Sequence, residues 1–161
     1  MTNIAAGEET VDAITDAMLT ASRLLVSLSA RSIATVEDTI TIAQFRVLVV
    51  LDTRGPLNLA ALAHCLDVQP STATRMVDRL VVADLISREP SVHSRRELVV
   101  TLTDHGRGVV GEVTARRRTE IGTVVAAMPA AQRSGLVRAL SAFTAAGGEP
   151  PAPKPTGSYW V

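Results

Sequence analysis

The chain has 161 residues, of which 47% are hydrophobic and only 2% aromatic, so a single domain with an aliphatic core is expected. No apolar run reaches the roughly 18 residues that a membrane span requires, and the amino terminus lacks the basic and apolar regions of a signal peptide. The single cysteine excludes an intramolecular disulfide and is typical of a cytoplasmic protein. The formal net charge is zero, which by itself argues against a nucleic-acid-binding protein.

The charged residues are unevenly distributed along the chain. Residues 1–40 carry six acidic side chains and two arginines, whereas residues 71–96 carry five arginines and three acidic side chains. Arginine binds phosphate and guanine through paired hydrogen bonds. This local excess of arginine therefore keeps nucleic-acid binding open despite the neutral net charge.

Two helices are predicted in the first third of the chain. Apolar residues from Val11 to Leu28 recur at alternating spacings of three and four, which is the narrow stripe of a coiled-coil type of helix. A second helix is predicted to follow Thr41 and to end at Arg54-Gly55-Pro56. Gly provides a left-handed cap there, and Pro cannot continue the helix.

Residues 58–82 have the pattern of two short helices. Asn58 is a suitable N-cap for a helix over residues 59–66. After a break at residues 67–69, Pro70 suits the first turn of a second helix over residues 70–82. Two short helices separated by three or four residues form a helix-turn-helix.

The apolar period then changes from 3.6 to 2, which predicts strands over residues 85–88 and 97–102 with a polar loop, 89–96, between them. A β-hairpin directly after a helix-turn-helix is a wing. The helical period returns at Thr103 and continues to Pro129, and a last helix contains Leu136, Leu140 and Phe143. Residues 147–161 are rich in Pro and Gly and predict an irregular tail, in which the role of Tyr159 and Trp160 is left open.

The order of these elements and several local motifs resemble the MarR family of bacterial regulators. The motifs are TIAQFRVL at 41–48, LAALA at 59–63, VQPSTATRMVDRL at 68–80, and an arginine pair at 95–96 followed by VTLT at 100–103 and Gly106. The resemblance covers about residues 11 to 146. It implies a single domain, 1–161, that is mainly α-helical with a small β-hairpin wing. The winged helix-turn-helix would occupy 41–103, dimerisation helices 1–40 and 104–146, and the tail 147–161.

The chain departs from the family pattern at three positions. Asp67 and Asp84 stand where the family usually has Gly, and Asp tolerates the left-handed backbone conformation better than most residues. Ser94 stands where the family usually has an acidic residue that holds a wing arginine in place. The wing arginines are therefore expected to be less ordered here than in the family.

The resemblance implies that the helix over residues 70–82 enters the major groove of DNA, with the polar residues of its first turns towards the bases. Gln can form hydrogen bonds with adenine, and Arg can form them with guanine. Arg79 lies one turn further on, so it is expected to contact the DNA backbone. The wing arginines are expected to contact the backbone or to enter the minor groove. Met76, Val77 and Leu80 should face the core. The candidate DNA-binding residues are Gln69, Ser71, Thr72, Thr74, Arg75, Arg79, Arg95 and Arg96.

The first and last helical segments carry apolar stripes that a compact helix-turn-helix does not need, so they predict a homodimer that binds an inverted repeat in double-stranded DNA. Resemblance to the family implies a repressor that a small-molecule effector can release. The sequence contains no catalytic constellation and no metal-ligand spacing, so we predict no enzyme, metal site or cofactor. The run Arg116-Arg117-Arg118 points in three directions on a helix and predicts a solvated surface outside the DNA site.

Two alternative functions remain open from the sequence. The neutral net charge and Ser94 would also fit a winged helix that binds another protein and not DNA. Cys65 would fit a thiol-based redox sensor, although a free cysteine within a helix-turn-helix is commonly a small buried hydrophobe.

Overall fold

The computed structural model describes residues 10–92 and 97–149, within which the chain forms seven helices and one antiparallel hairpin. The predicted fold class and the order of the predicted elements are confirmed, and α6 is a short helix that the sequence did not predict. The elements are α1 (Val11–Val36), α2 (Ile42–Arg54), α3 (Leu59–Leu66), α4 (Pro70–Val82), β1 (Ile86–Pro90), β2 (Leu98–Leu102), α5 (Asp104–Ala127), α6 (Ala130–Arg133) and α7 (Leu136–Ala146).

The helix-turn-helix, α3 and α4, is bounded by local capping interactions. Asn58 Oδ1 accepts a hydrogen bond from the N–H of Ala61 at 2.8 Å and starts α3, and Pro70 occupies the first turn of α4. Asp67 and Asp84, which follow the two helices, have φ angles of 53° and 57°. The expectation that aspartate adopts the left-handed conformation at both positions is therefore confirmed.

The wing differs from the prediction at the limits of its first strand, and its second strand begins at Leu98, one residue later than predicted. β1 runs from Ile86 to Pro90, not from Leu85 to Arg88, and pairs with β2 so that Ile86 lies opposite Leu102 and Pro90 opposite Leu98. Leu85 lies outside the strand because its N–H donates to the carbonyl of Leu80, which completes the turn after α4. Pro90 is tolerated because it lies at the end of the strand.

The hydrophobic core lies between the helix-turn-helix, α2, the hairpin and the first half of α5. It is aliphatic apart from Phe45, as the composition predicts. Leu57, just before α3, forms a two-way backbone bridge with Val100 of β2, at 3.1 and 2.7 Å, and thereby fixes the hairpin to the start of the helix-turn-helix.

The first half of α1 and the whole of α7 lie outside this core. Most of their large apolar side chains are exposed, with Val11 at 79%, Val137 at 80% and Phe143 at 56% of full accessibility. Glu149, three residues after α7, forms an ion pair with α2, in which Arg46 Nη2 lies 2.9 Å from Glu149 Oε2. Within residues 10–92 and 97–149, no helix is long and apolar enough to cross a membrane.

Candidate nucleic-acid interface

Helix α4 has one side in the core and the other side in solvent. Ala73, Val77 and Leu80 are fully buried, whereas Met76 is half-buried at the edge of the core. The 3.6-residue period thus leaves the polar residues of α4 on the outer side, where a ligand as large as a DNA duplex could reach them.

Five of the six predicted site residues around α4 lie just before it or in its first two turns, and Arg79 lies in its last turn. Of all six, five are exposed and Thr74 is half-buried. Gln69 occupies the N-cap position without making a side-chain capping hydrogen bond, so its amide is available to an external partner. The exposed residues are Gln69, Ser71, Thr72, Arg75 and Arg79.

Hydrogen bonds within the helix limit what two of these residues can do. Thr74 Oγ1 donates to the carbonyl of Pro70 at 2.9 Å, so its hydroxyl can only accept a further hydrogen bond. Arg75 Nε donates to the carbonyl of Ser71 at 3.3 Å, which leaves the terminal nitrogens of the guanidinium free. The guanidinium group of Arg79 makes neither a hydrogen bond nor an ion pair with any residue that the structure describes.

An ion pair joins α4 to the wing. Asp78 Oδ1 accepts a hydrogen bond from Arg88 Nη2 in β1. The pair neutralises the acidic side chain nearest to Arg75 and Arg79 in sequence, so the outer side of α4 stays positively charged. The pairing of these two residues was not predicted from the sequence, although opposite charges on adjacent elements are a usable signal.

The start of α2 lies beside the outer side of α4. A cleft of about 220 Å³ separates the two helices, and its lining includes two arginines and no acidic residue. The α2 residues in this lining were not among the site residues predicted from the sequence. The lining consists of Thr41, Ala43, Gln44, Thr72, Arg75, Met76 and Arg79.

The wing arginines, Arg95 and Arg96, lie outside the described residues, as does Ser94. Cys65 is half-buried and packs against the hydrophobic core, as a small hydrophobe would. In the ranges 10–92 and 97–149, no group of three or more His, Cys, Asp or Glu side chains could hold a metal ion.

Comparison with known proteins identifies similar chains. A model described as the MarR family matches residues 40–98. The HTH-type transcriptional repressor MdtR of Bacillus subtilis is 38% identical over 79 residues, which are 49% of this chain and 51% of MdtR. The chain thus spans about half the length of the curated relatives it matches.

Two solved structures extend the similarity to nearly the whole chain. The crystal structure of RV1404 from Mycobacterium tuberculosis is 62% identical and superposes with a TM-score of 0.83, covering 91% of this chain and 100% of RV1404. A mutant MarR from E. coli, complexed with operator DNA, is 21% identical with a TM-score of 0.63, covering 81% of this chain and 92% of that one. At that identity the second likeness shows the shared fold alone.

Proposed function

Because this chain belongs to the MarR family, we propose that it is a transcriptional regulator that binds double-stranded DNA. The observation that carries the proposal is the outer side of α4, which presents Arg75 and Arg79 without an acidic partner in the described part of the chain. A helix with free guanidinium groups next to a β-hairpin suits the major groove, which admits one α-helix.

We assign base contacts to the first turns of α4 and backbone contacts to the residues beyond them. Arg75 is assigned to a guanine and Gln69 to an adenine, because their side chains match the acceptors and donors of those bases. Ser71, Thr72 and Thr74 are assigned to nearby bases or phosphates. Arg79 is assigned to the backbone, and Arg95 and Arg96 are assigned to the backbone or the minor groove.

A homodimer is supported by the apolar side chains that the single chain leaves exposed. Ile14 and Leu25 of α1, and Leu140 and Phe143 of α7, lie at least 43% exposed on helices outside the core. We propose that segments 1–40 and 104–146 pack against the same segments of a second copy. Two-fold symmetry would then place two α4 helices in successive major grooves of an inverted repeat.

We propose further that the protein represses transcription, because its relative MdtR is named a repressor. A small-molecule effector would release it from DNA by favouring a dimer in which the two α4 helices no longer match the groove spacing. Chromosomal DNA as the target places this activity in the cytoplasm.

DNA binding is tested by selecting a preferred duplex from a random pool and titrating it by fluorescence anisotropy over a range of salt concentrations. Arg75→Ala should weaken binding by about 1–3 kcal/mol and relax the preference at one base position. Arg118→Ala, which removes an exposed arginine from α5, is the matched control and should bind as the wild type. An equal loss on every sequence would contradict base reading by Arg75.

The zero net charge favours a second candidate, a winged helix that binds a protein partner. The same titration separates the two functions. If the wild-type protein has no measurable affinity for any duplex even at low ionic strength, the DNA-binding proposal fails and the protein-binding alternative takes its place.

A further inference from the structure

We propose that the cleft between α2 and α4 binds one phosphate of the DNA backbone, so that the start of α2 is a DNA-contacting element in addition to α4 and the wing. This inference rests on the proposed function and adds to it a site built largely from residues that sequence analysis did not select. Three independent features of the cleft support it.

The first feature is the set of free backbone donors at the start of α2, a helix of 13 residues. Thr41 Oγ1 accepts from the N–H of Gln44 at 3.2 Å, and the carbonyl of Thr41 accepts from the N–H of Phe45 at 2.9 Å. The N–H groups of Ile42 and Ala43 have no acceptor among the described residues. Free N–H groups and the helix dipole together favour an anion at this end.

The second feature is the side chain of Gln44, which is only 5% exposed and lines the cleft. Its Oε1 accepts from the N–H of Thr41 at 2.8 Å and completes a capping box. Its Nε2 donates to no acceptor in the part of the chain that the structure describes. Because Nε2 is not enclosed by protein atoms, it remains accessible from the cleft and can donate to an oxyanion bound there.

The third feature is the charge on the opposite wall. Arg75 and Arg79 of α4 line the cleft, Thr72 adds a hydroxyl, and no acidic side chain takes part in the lining. Guanidinium groups bind phosphate oxygens through several hydrogen bonds at once. A tetrahedral oxyanion could therefore accept hydrogen bonds from both walls, from the N–H groups and Gln44 on one side and from arginine on the other.

A phosphodiester and a free inorganic phosphate share this chemistry. The position of the cleft favours the phosphodiester, because the cleft runs along the flank of α4. A helix lying in the major groove has a DNA backbone along each flank, so a phosphate would face the cleft whenever α4 is in the groove.

Gln44→Glu tests the proposal while preserving the fold. Glutamate at this position retains the acceptor for the N–H of Thr41, since the capping box uses Glu or Gln equally, but it places a negative charge in the cleft. Affinity should fall about tenfold or more on every duplex alike, as expected for one charge-assisted hydrogen bond. The slope of log K against log salt concentration should become shallower by about 0.9, the contribution of one phosphate.

Gln132→Glu on α6 is the matched control, because it makes the same chemical change at an exposed position outside the cleft. It should leave the affinity and the salt slope unchanged. If Gln44→Glu binds DNA with wild-type affinity and salt slope, the inference is overturned. The proposed function would still stand in that case, provided that Arg75→Ala loses base preference.

A scan of the preferred duplex with single uncharged methylphosphonate linkages identifies the source of the anion. One linkage in each half-site should weaken the wild-type complex but not weaken the Gln44→Glu complex further. If no single linkage weakens the wild-type complex without also weakening the Gln44→Glu complex, the proposal is overturned. If, in addition, inorganic phosphate raises the melting temperature of the wild type and not of the variant at matched ionic strength, the cleft is a site for the free ion instead.

Discussion

Asp78 on the outer side of α4 is hydrogen-bonded to Arg88 on β1, ten residues later in the chain. The pair connects the helix proposed to read the bases to the strand that leads into the wing. Both side chains are more than one third exposed, so the pair contributes little to the stability of the fold. Its main consequence is geometric, because it restrains the angle between the two elements proposed to contact DNA.

Asp78→Asn should therefore reduce DNA specificity more than it reduces stability. The free energy of unfolding should change by less than about 1 kcal/mol, and the ratio of affinities for the preferred and a random duplex should fall about two- to fivefold. Urea denaturation and anisotropy titration measure the two effects. Asp104→Asn breaks the exposed Arg107–Asp104 pair on α5 and should leave the ratio unchanged. A loss of several kcal/mol in stability would show that the pair is structural.

Gly106 permits the close contact between α5 and the end of the helix-turn-helix. A Cβ atom at this position would lie 2.0 Å from the carbonyl oxygen of Leu85, which is backbone and cannot rotate away. Gly106→Ala should therefore destabilise the fold by about 1–3 kcal/mol or more. Gly108→Ala, in the same helix with no atom within 4 Å, should instead stabilise it by about 0.5–1 kcal/mol. Urea denaturation at one protein concentration measures the free energy of unfolding of both variants. An equal change in the two variants would contradict the proposed close contact at Gly106.

The limits of the helix-turn-helix could be predicted because they are set locally. Asn58 and Pro70 each act on backbone within the adjacent helical turn, and the helices begin and end where predicted. The first strand could not be placed as well. Leu85 has the apolar character of a strand residue. Its position, however, depends on hydrogen bonds with Leu80 in α4 and with Thr103, which follows β2.

Side-chain roles that depend on packing between distant elements could not be predicted. Gln44 was recognised as part of a motif, but its cleft exists only because α2 and α4 meet in the fold. The run Arg116-Arg117-Arg118 was predicted to be solvated, and this is wrong for Arg117. That side chain is half-buried, and its Nε is enclosed without a hydrogen-bond partner among the described residues.

Phe143 tests the proposed role of α7 in dimerisation. It lies more than half exposed on a helix outside the core, and a second copy would bury it. Phe143→Asp should weaken the dimer by about 2 kcal/mol or more, which is at least thirtyfold in the dissociation constant. Sedimentation equilibrium measures this change. Ser141→Asp adds the same charge two residues earlier and should have a much smaller effect. Unchanged dimerisation in Phe143→Asp would exclude α7 from the interface.

The pair between Arg46 and Glu149 predicts a small loss of stability in acid. The hydrogen bond from Arg46, followed by its charge, holds the pKa of Glu149 below its ordinary value of 4.5. Since the folded protein has the lower pKa, the stabilisation is complete above pH 4.5 and is lost as the pH falls through the lowered value. Both side chains are about half exposed, so the contribution is below about 1 kcal/mol.

Thermal melting of the wild type and Glu149→Gln from pH 7 to about pH 2.5 measures this contribution. The wild type should melt higher at pH 7, by at most about 3 °C, and the difference should disappear at the acid end. Glu112→Gln removes an exposed α5 carboxylate that has no ion pair in the described part of the chain, and should not show this pattern. If the difference between the wild type and Glu149→Gln persisted unchanged in acid, the stabilisation would come from packing at the end of α7, because protonation removes the charge but leaves the contact area.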